Sequence, residues 1–233
     1  MGPLFYAPPV QVSGRRIRLE GQEAHHAARV LRLGPGDPVA VADGRGTRYQ
    51  GSVVSAGKNG VIVEWASREE LPRPDPYCVL AMGILKKRDR MEFAVEKAVE
   101  LGAGDVALFR SQHTVKENVR MDRLESAALA AMKQSRRAWL PGITLHDSLA
   151  QVLESHPDTR PLLARQGEGG YPEELPDREG DSFLLLVGPE GGFSEEEMRH
   201  ALEAGAEPVR LGGYRLRTET AAVALLSRML PEG

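Results

Sequence analysis

The sequence predicts two domains: a small amino-terminal domain of antiparallel strands, a barrel or meander, and a larger α/β domain with a largely parallel sheet. Three observations support this. Two hairpin turns follow each other closely in the first third of the chain, a proline-rich charged segment comes next, and strands then alternate with helices. The 233 residues can bury two such cores without disulfide or metal staples.

The amino-terminal third reads as short strands around one helix. Residues 15–20 alternate as a strand, and residues 22–33 carry apolar side chains at helical spacing until Gly34 and Pro35 stop the pattern. Further strands are predicted at residues 39–42, 47–55 and 61–66, separated by turns at Asp43-Gly44 and Asn59-Gly60.

The domain boundary is predicted near Pro72. Residues 69–76 carry three prolines among charged residues, a composition that resists both helix and strand and is typical of a linker. The predicted domains are therefore residues 1–72 and 73–233.

The second domain shows the strand and helix alternation of a parallel α/β sheet. A polar, Gly- and Pro-rich segment at residues 166–181 is expected to be an exposed loop. The predicted elements are a strand at 78–85, a helix at 90–101 ended by Gly102, a strand at 106–109, a helix at 123–134, strands near Leu162, Phe183 and Val209, and helices from Ser194 and Thr218.

Charge is distributed unevenly along the chain. Residues 1–140 hold 22 Lys and Arg against 16 Asp and Glu, whereas residues 141–233 hold 8 against 17. Basic residues cluster at 86–90 and at 133–137, where a polyanion could bind, although solvated helix ends give the same pattern. Charge alone therefore makes nucleic acid a candidate partner.

Several protein classes are not expected. The apolar stretches are far shorter than the roughly 20 residues that cross a bilayer, and the amino terminus lacks a signal-peptide pattern. Cys78 has no second cysteine to pair with, which fits a reducing compartment. The His and Cys residues are too scattered for a structural zinc cluster, so no metal is expected.

The glycine-rich turn at residues 188–192 joins an apolar strand to a helix, as nucleotide-binding turns do. Ser194 and Glu197 have the spacing of a capping box, and Glu195 and Glu196 add negative charge to the same helical turn. A phosphate needs free N–H donors and a positive helix end. In this turn the predicted cap uses the donors, and the acidic side chains offset the positive end. NAD and ATP are therefore disfavoured, and a ligand without phosphate is favoured.

Residues 211–230 repeat the order of strand, glycine-rich turn and helix, with a short strand, the pair Gly212-Gly213, a polar loop and a helix. The double glycine lets backbone approach a ligand closely. Thr218 is the predicted N-cap of the helix. Taken alone, its neighbours Arg217 and Glu219 fit a surface ion pair.

The two loops together resemble the signature of RsmE-type 16S ribosomal RNA (uracil-N3) methyltransferases, which belong to the SPOUT class. The resemblance rests on GPEGGFS at 188–194 and LG-x-x-x-LRTETA at 211–221. Weaker matches extend it over nearly the whole chain: H-x-x-x-VLR-x-x-x-GD at 26–37, the region around 86–102, and the Gln134-Ser135 segment with Arg137 and Pro141.

The resemblance implies a PUA-like β-barrel followed by a SPOUT domain with a deep trefoil knot. It also implies S-adenosylmethionine as cofactor, a homodimer, and methylation of a uridine in 16S rRNA of the small ribosomal subunit, in the cytoplasm. The implied cofactor-binding residues are Leu163, Ala164, Val187, Gly188, Pro189, Glu190, Gly191, Gly192, Leu211, Gly212, Gly213, Leu216 and Thr218.

Catalytic and RNA-binding roles follow from the same resemblance. Arg217 would stabilise negative charge on a uracil carbonyl, and Glu219 would act as a base or orient Arg217. The residues expected to contact RNA are His26, Arg29, Arg32, Lys86, Lys87, Arg88, Arg90, Arg136 and Arg137.

Three rival functions remain at this point. The chain could be a SPOUT enzyme acting on a ribose 2′-hydroxyl or on tRNA, a catalytically silent RNA-binding assembly factor, or an α/β enzyme with a phosphate-containing cofactor. The silent RNA-binding factor is disfavoured because the GPEGG and RTETA loops are intact. The enzyme with a phosphate-containing cofactor is disfavoured because the helical turn at Glu195 to Glu197 is acidic.

Overall fold

The computed structural model describes residues 2–57, 60–114, 118–165 and 182–230. The chain divides into two compact units. The first contains the described residues up to Arg73 together with Leu129–Leu140, and the second contains Pro74–Ala128 and the described residues from Pro141 onward. Among the described helices none is both long and apolar enough to cross a bilayer.

The first unit is built on a six-stranded sheet with strand order β1-β4-β5-β6-β3-β2. All neighbouring strands are antiparallel except β1 and β4, which run parallel. The strands are β1 (Leu4–Tyr6), β2 (Val12–Ser13), β3 (Arg16–Leu19), β4 (Pro38–Ala42), β5 (Thr47–Gly57) and β6 (Gly60–Glu70), with a 3₁₀ turn at Pro9–Gln11.

Alternation along the strands forms the core of this unit. Ile17 lies opposite Val63 and Leu19 opposite Val61, and all four side chains are buried with Phe5. Residues two apart on a strand share a face, so each strand contributes one apolar face to a single core. The predicted strands at 39–42, 47–55 and 61–66 are confirmed.

The predicted helix at residues 22–33 is shorter and differently wound. Helix α1 spans Gly21–His25 and continues as a π-helical turn at His26–Val30. Arg32 then adopts a left-handed backbone with φ 54°, and the amide of Leu33 donates back to the Ala27 carbonyl. The chain therefore reverses before Gly34 and Pro35, the residues expected to stop the helix.

The expected linker also begins later than predicted. Residues 69 and 70 belong to β6, where Glu69 lies opposite Arg48 and its carboxylate accepts a hydrogen bond of 2.7 Å from the Arg48 guanidinium. The expectation that all of 69–76 avoids strand structure was wrong, because pairing with β5 extends β6 into the charged residues.

The segment Leu129–Leu140 joins the first unit although it lies beyond Pro72 in sequence. The Trp139 indole donates to the carbonyls of Leu71 and Pro72, and the Gly46 amide donates to the Ala138 carbonyl. Lys133 forms an ion pair with the buried Glu23. A single boundary near Pro72 therefore does not describe the division of the chain, because Leu129–Leu140 also belongs to the first unit.

The second unit contains a six-stranded sheet with order β12-β10-β11-β7-β8-β9, and every neighbouring pair is parallel. The strands are β7 (Tyr77–Gly83), β8 (Asp105–Phe109), β9 (Gly142–His146), β10 (Arg160–Arg165), β11 (Ser182–Val187) and β12 (Glu207–Arg210). The helices of the chain after α1 are α2 (Arg88–Leu101), α3 (Met121–Gln134), α4 (Leu149–Ser155), α5 (Glu195–Glu203) and α6 (Thr218–Met229).

Helices pack against this sheet, as the predicted α/β class requires. Helices α4 and α5 pack together, with Leu149 and Ala201 buried against sheet residues such as Leu184 and Leu186. Helix α6 packs on β7, β11 and α2. The central strands are almost wholly apolar because side chains on both of their faces are buried.

Most elements of the second unit match their predictions, with three exceptions. Strand β9 and helix α4 were not predicted, since β9 is a polar edge strand and α4 has only seven residues. The N-cap of α6 is Arg217, not Thr218, which is the first helical residue. The loop predicted at 166–181 lies outside the described residues.

We expect Glu23→Ala to lower the free energy of unfolding of the first unit by about 3 kcal/mol, because it leaves Lys133 and the Tyr6 amide without their common acceptor. Both tryptophans belong to this unit, so urea denaturation followed by tryptophan fluorescence measures it. The control is Glu20→Ala, which removes an exposed pair with Arg18 and should cost less than about 1 kcal/mol. Equal losses would contradict the importance of the buried pair.

Candidate functional site

The carboxyl ends of three neighbouring parallel strands meet at one edge of the second sheet. Strand β10 lies between β11 and β12, with Leu163 opposite Leu186 and Ala164 opposite Val209. The ends of these three strands therefore lie side by side. Ligands of open α/β sheets bind at this edge.

A cavity of about 890 Å³ opens there, within the range of roughly 300–1,000 Å³ typical of ligand sites. Its walls come from the ends of β10, β11 and β12, the residues that follow β11 and β12, the start of α6, and single residues of α2 and α5. The lining residues are Arg90, Ala164, Arg165, Val187, Gly188, Pro189, Glu190, Gly191, Gly192, Phe193, Met198, Arg210, Leu211, Gly212, Gly213, Tyr214, Arg215, Leu216, Arg217, Thr218 and Ala221.

The glycine-rich turn after β11 lies directly on the end of β7. A Cβ at Gly83 would come within 2.6 Å of the Pro189 side chain and 2.7 Å of its backbone nitrogen, so only glycine permits this approach. At the far end of the turn Gly192 has φ 78°, in the left-handed region that favours glycine. The turn therefore needs a glycine on the neighbouring strand as well as its own.

A buried carboxylate ties this turn to the loop that follows β8. Glu197 accepts hydrogen bonds from the amide of Ser194 at 2.7 Å, the hydroxyl of Ser111 at 3.0 Å and the amide of Gln112 at 3.2 Å. Ser194 in turn caps the Glu197 amide, which confirms the predicted capping box. One side chain on α5 thus holds the ends of two strands that β7 separates in the sheet.

Further contacts strengthen the same connection. The Gln112 side chain donates to Glu196 at 2.6 Å, and the ring Nδ1 of His113 lies 3.3 Å from the Gly192 carbonyl oxygen. The Phe193 ring stacks on Phe109 at the end of β8, with ring centroids 6.2 Å apart. Residues 111–114 and 188–194 are therefore joined at several points.

The predicted catalytic pair is separated by the structure. Arg217 is exposed and lines the cavity at the start of α6. Glu219 is 7% exposed and forms an ion pair with Arg90, with Nε and Oε1 3.5 Å apart. The second oxygen of Glu219 is buried without a hydrogen-bond partner among the described residues. The surface pair expected between Arg217 and Glu219 is therefore wrong, because Glu219 points to α2.

Of the predicted cofactor-binding residues, all but Leu163 line the cavity. Leu163 is fully buried in the core of the sheet and does not line the cavity, whereas Glu190 lines it and accepts hydrogen bonds from the Lys86 amide. The remaining predicted cofactor residues all line the cavity: Ala164, Val187, Gly188, Pro189, Gly191, Gly192, Leu211, Gly212, Gly213, Leu216 and Thr218.

Sequence reasoning missed several lining residues. Arg165 directly follows Ala164, and Tyr214 and Arg215 lie inside the second signature loop, so their position in the chain was the available signal. Arg90 was predicted to contact RNA, but it lies in the cavity wall. Only the fold brings α2 to this edge of the sheet.

The basic residues predicted to contact RNA are divided between the units. In the second unit Lys86, Lys87 and Arg88 are exposed just before and at the start of α2. In the first unit, Arg29, Arg32 and Arg136 are exposed, and His26 is half-buried with its ring against Phe5. Arg137 is also half-buried, and burial lowers the pKa of its guanidinium.

Sequence comparison identifies two conserved domain types. The RNA methyltransferase domain matches residues 73–230, and the RNA methyltransferase PUA domain matches residues 19–64. A ribosomal RNA small subunit methyltransferase E from Mycobacterium bovis is 33% identical over 234 residues, covering 96% of this chain and 89% of the relative. The protein of that name from Bacillus subtilis is 29% identical over 228 residues, covering 90% of this chain and 87% of the relative.

Solved structures agree over nearly the full length. A ribosomal RNA small subunit methyltransferase E from Neisseria gonorrhoeae, bound to S-adenosyl methionine, superposes with a TM-score of 0.86 at 27% identity and covers 98% of this chain and 97% of that one. A methyltransferase from Legionella pneumophila in complex with the same cofactor gives a TM-score of 0.83 at 27% identity, covering 97% of this chain and 96% of that one.

We expect Glu197→Gln to lower the free energy of unfolding of the second unit by about 2 kcal/mol, because an amide replaces a charged acceptor of three hydrogen bonds. Amide hydrogen exchange should rise in both 111–114 and 188–194. The control is Glu196→Gln, an exposed neighbour that accepts only a side-chain bond from Gln112 among the described residues. Faster exchange at the start of α5 alone would contradict a connection between the two loops.

Proposed function

The chain belongs to the RNA methyltransferase family, and we propose that it transfers a methyl group from S-adenosylmethionine to N3 of a uridine in 16S rRNA. Family membership supports S-adenosylmethionine-dependent methylation of small-subunit rRNA, since the relatives carry that name and similar structures hold the cofactor. The observation that carries the proposal is the single cavity that both signature loops line.

The residues of the cavity fit this cofactor. Val187, Met198 and Leu216 offer apolar contacts for an adenine ring, and the glycine-rich turn leaves backbone amides and carbonyls near the cavity. The carboxylate of Glu190 can complement a cationic group. The first turn of α5 is capped and acidic, so its N–H donors are not available to a phosphate. This suits S-adenosylmethionine, because the cofactor contains no phosphate.

The bound cofactor supplies an electrophilic methyl group on a cationic sulfur, and the protein must present the uracil nitrogen to it in line. As N3 loses its proton, negative charge spreads to the neighbouring carbonyl oxygens. We assign Arg217 to stabilising that charge, and its position in the cavity wall at the N-cap of α6 supports the assignment. Positive groups fixed where charge develops lower the barrier to reaction.

We assign Glu219 to holding Arg90 in the cavity wall. The ion pair joins Arg90 of α2 to the first turn of α6, and Arg90 and Arg217 both line the cavity. Two guanidinium groups can then contact a uracil anion and the adjoining phosphate. The alternative role of Glu219, as the base that takes the N3 proton, would use its unpartnered second oxygen.

N3 lies on the pairing edge of uracil, so the target base has to be unpaired or flipped out of a helix before reaction. We propose that residues 1–72 bind flanking RNA and residues 73–233 carry out the transfer. The exposed basic residues Lys86, Lys87 and Arg88 support RNA contacts by the second unit. Arg29, Arg32 and Arg136 support contacts by the first.

We extend the proposal to the quaternary state and to the topology of the backbone. The resemblance of the signature loops supports a trefoil knot in the SPOUT domain, a PUA-like barrel in the first unit, and a homodimer. Because the proposed substrate belongs to the small ribosomal subunit, we also propose that the enzyme acts in the cytoplasm. The reaction as proposed uses no metal ion.

We expect incubation with S-adenosylmethionine and unmodified small ribosomal subunits to yield N3-methyluridine in 16S rRNA. Labelled methyl transfer followed by mass spectrometry of the nucleosides measures this, and subunits that already carry the modification are the control. A 2′-O-methylated nucleoside, or transfer to tRNA alone, would overturn the substrate assignment. Cofactor binding without any transfer would support a silent RNA-binding protein instead.

We expect Arg217→Ala to lower kcat about 100- to 1,000-fold while cofactor affinity changes little, because the charge it stabilises appears only in the transition state. The control is Arg199→Ala, which removes an exposed guanidinium paired with Glu203 outside the cavity. Unchanged kcat in Arg217→Ala would remove its assigned role.

A double-mutant cycle separates the two roles of Glu219. If Glu219 acts through Arg90, the pair Arg90→Ala and Glu219→Gln should lower kcat no more than the worse single variant. If Glu219 is the base, adding Glu219→Gln to Arg90→Ala should lower kcat further than Arg90→Ala alone.

A further inference from the structure

Tyr214 is the most conspicuous aromatic side chain of the site. It lines the cavity, yet it is 90% exposed. Burying an aromatic ring is strongly favourable, and tyrosine is enriched at interfaces because its ring is apolar and its hydroxyl is polar. No role in the proposed reaction accounts for it.

Both tryptophans make contacts within the first unit. Trp65 packs between Tyr49 and Arg15, and its indole donates to the Gly14 carbonyl. The Trp139 indole donates to backbone carbonyls of the same unit. Two aromatic residues line the cavity in the described part of the chain, and Phe193 stacks on Phe109, whereas the ring of Tyr214 is exposed.

The loop that carries Tyr214 holds it at the mouth of the cavity. It runs from the end of β12 at Arg210 to the N-cap of α6 at Arg217. The Arg210 guanidinium Nε donates to the Gly212 carbonyl at 3.1 Å, and Gly212 has φ 139°. This hydrogen bond fixes the start of the loop, two residues before Tyr214.

The charge around Tyr214 fits an anionic polymer. Five of the lining residues are arginines, Arg90, Arg165, Arg210, Arg215 and Arg217, against Glu190 as the one acidic lining residue among those described. A cationic cofactor does not require so many positive groups. A phosphodiester chain does, because each nucleotide brings one negative charge.

We propose that Tyr214 is a stacking platform for an unpaired base next to the target uridine, with Arg215 contacting the adjoining phosphate. This inference rests on the proposed function and names an RNA-binding contact of the same site. A tyrosine ring stacks on any base, and the neighbouring guanidinium adds charge attraction to the backbone. The base that flanks the flipped uridine is then held at the cavity mouth while the uridine enters it.

The test compares Tyr214→Ala, Tyr214→Phe and the exposed-surface control Leu202→Ala in the full-length protein. Cofactor affinity is measured by titration calorimetry with S-adenosylmethionine, and kcat and KM are measured for unmodified small subunits. We expect Tyr214→Ala to raise the KM for RNA about 5- to 100-fold, as the loss of one base–aromatic stack predicts. Cofactor affinity, as well as the values for Tyr214→Phe and Leu202→Ala, should stay within about twofold of the wild type.

A direct readout uses Tyr214→Trp, whose new indole should be quenched by a single-stranded RNA that spans the target site. Quenching should fall when the flanking nucleotide is replaced by an abasic one. An unchanged KM for Tyr214→Ala, or a weakened cofactor affinity instead, would overturn the stacking role. Absence of any transfer by the wild-type protein would remove the proposed function, while abasic-sensitive quenching would still support the platform.

Discussion

The buried carboxylate of Glu197 is the interaction on which the site depends. A parallel sheet brings the ends of its strands to one edge, but it does not hold the loops that follow them. Glu197 accepts hydrogen bonds from both the loop after β8 and the turn after β11, across the intervening β7. Because burial makes an unmet donor costly, the two loops keep one arrangement.

Close backbone approach completes this arrangement. Pro189 sits against Gly83 at a distance that no side chain at position 83 would allow. The turn at 188–192 and the loop at 211–217 therefore form two parts of the wall of one cavity. We expect both parts to contact the cofactor, and the arginines and Tyr214 of the loop at 211–217 to contact the RNA as well.

Electrostatics distinguish the two ligands of the cavity. The capped, acidic start of α5 offers no phosphate site, and Glu190 supplies negative charge to the wall. The arginines that surround the rest of the cavity favour an anion. A cationic methyl donor and an anionic acceptor can thus share the space because the charges lie on different segments of the wall.

Sequence periodicity and turn chemistry determined most of the fold. Nine strands, helix α2 with its end at Gly102, and the Ser194 capping box were predictable because each depends on neighbouring residues, whereas the short strands β1 and β2 were not predicted. Elements that depend on distant partners were not. Strand β9 is an edge strand with few apolar residues, and the return of Leu129–Leu140 to the first unit depends on contacts far apart in sequence.

The same division holds for the site. By itself the sequence identified the family signature, the two loops and Arg217, since these are contiguous motifs. Only the tertiary structure decided that Glu219 pairs with Arg90, that Leu163 is a core residue, and that Tyr214 stands open at the cavity mouth. The physical reason is that ion pairing, burial and exposure depend on residues that are distant in sequence and meet only in the folded protein. The spacing of neighbouring residues does not predict them.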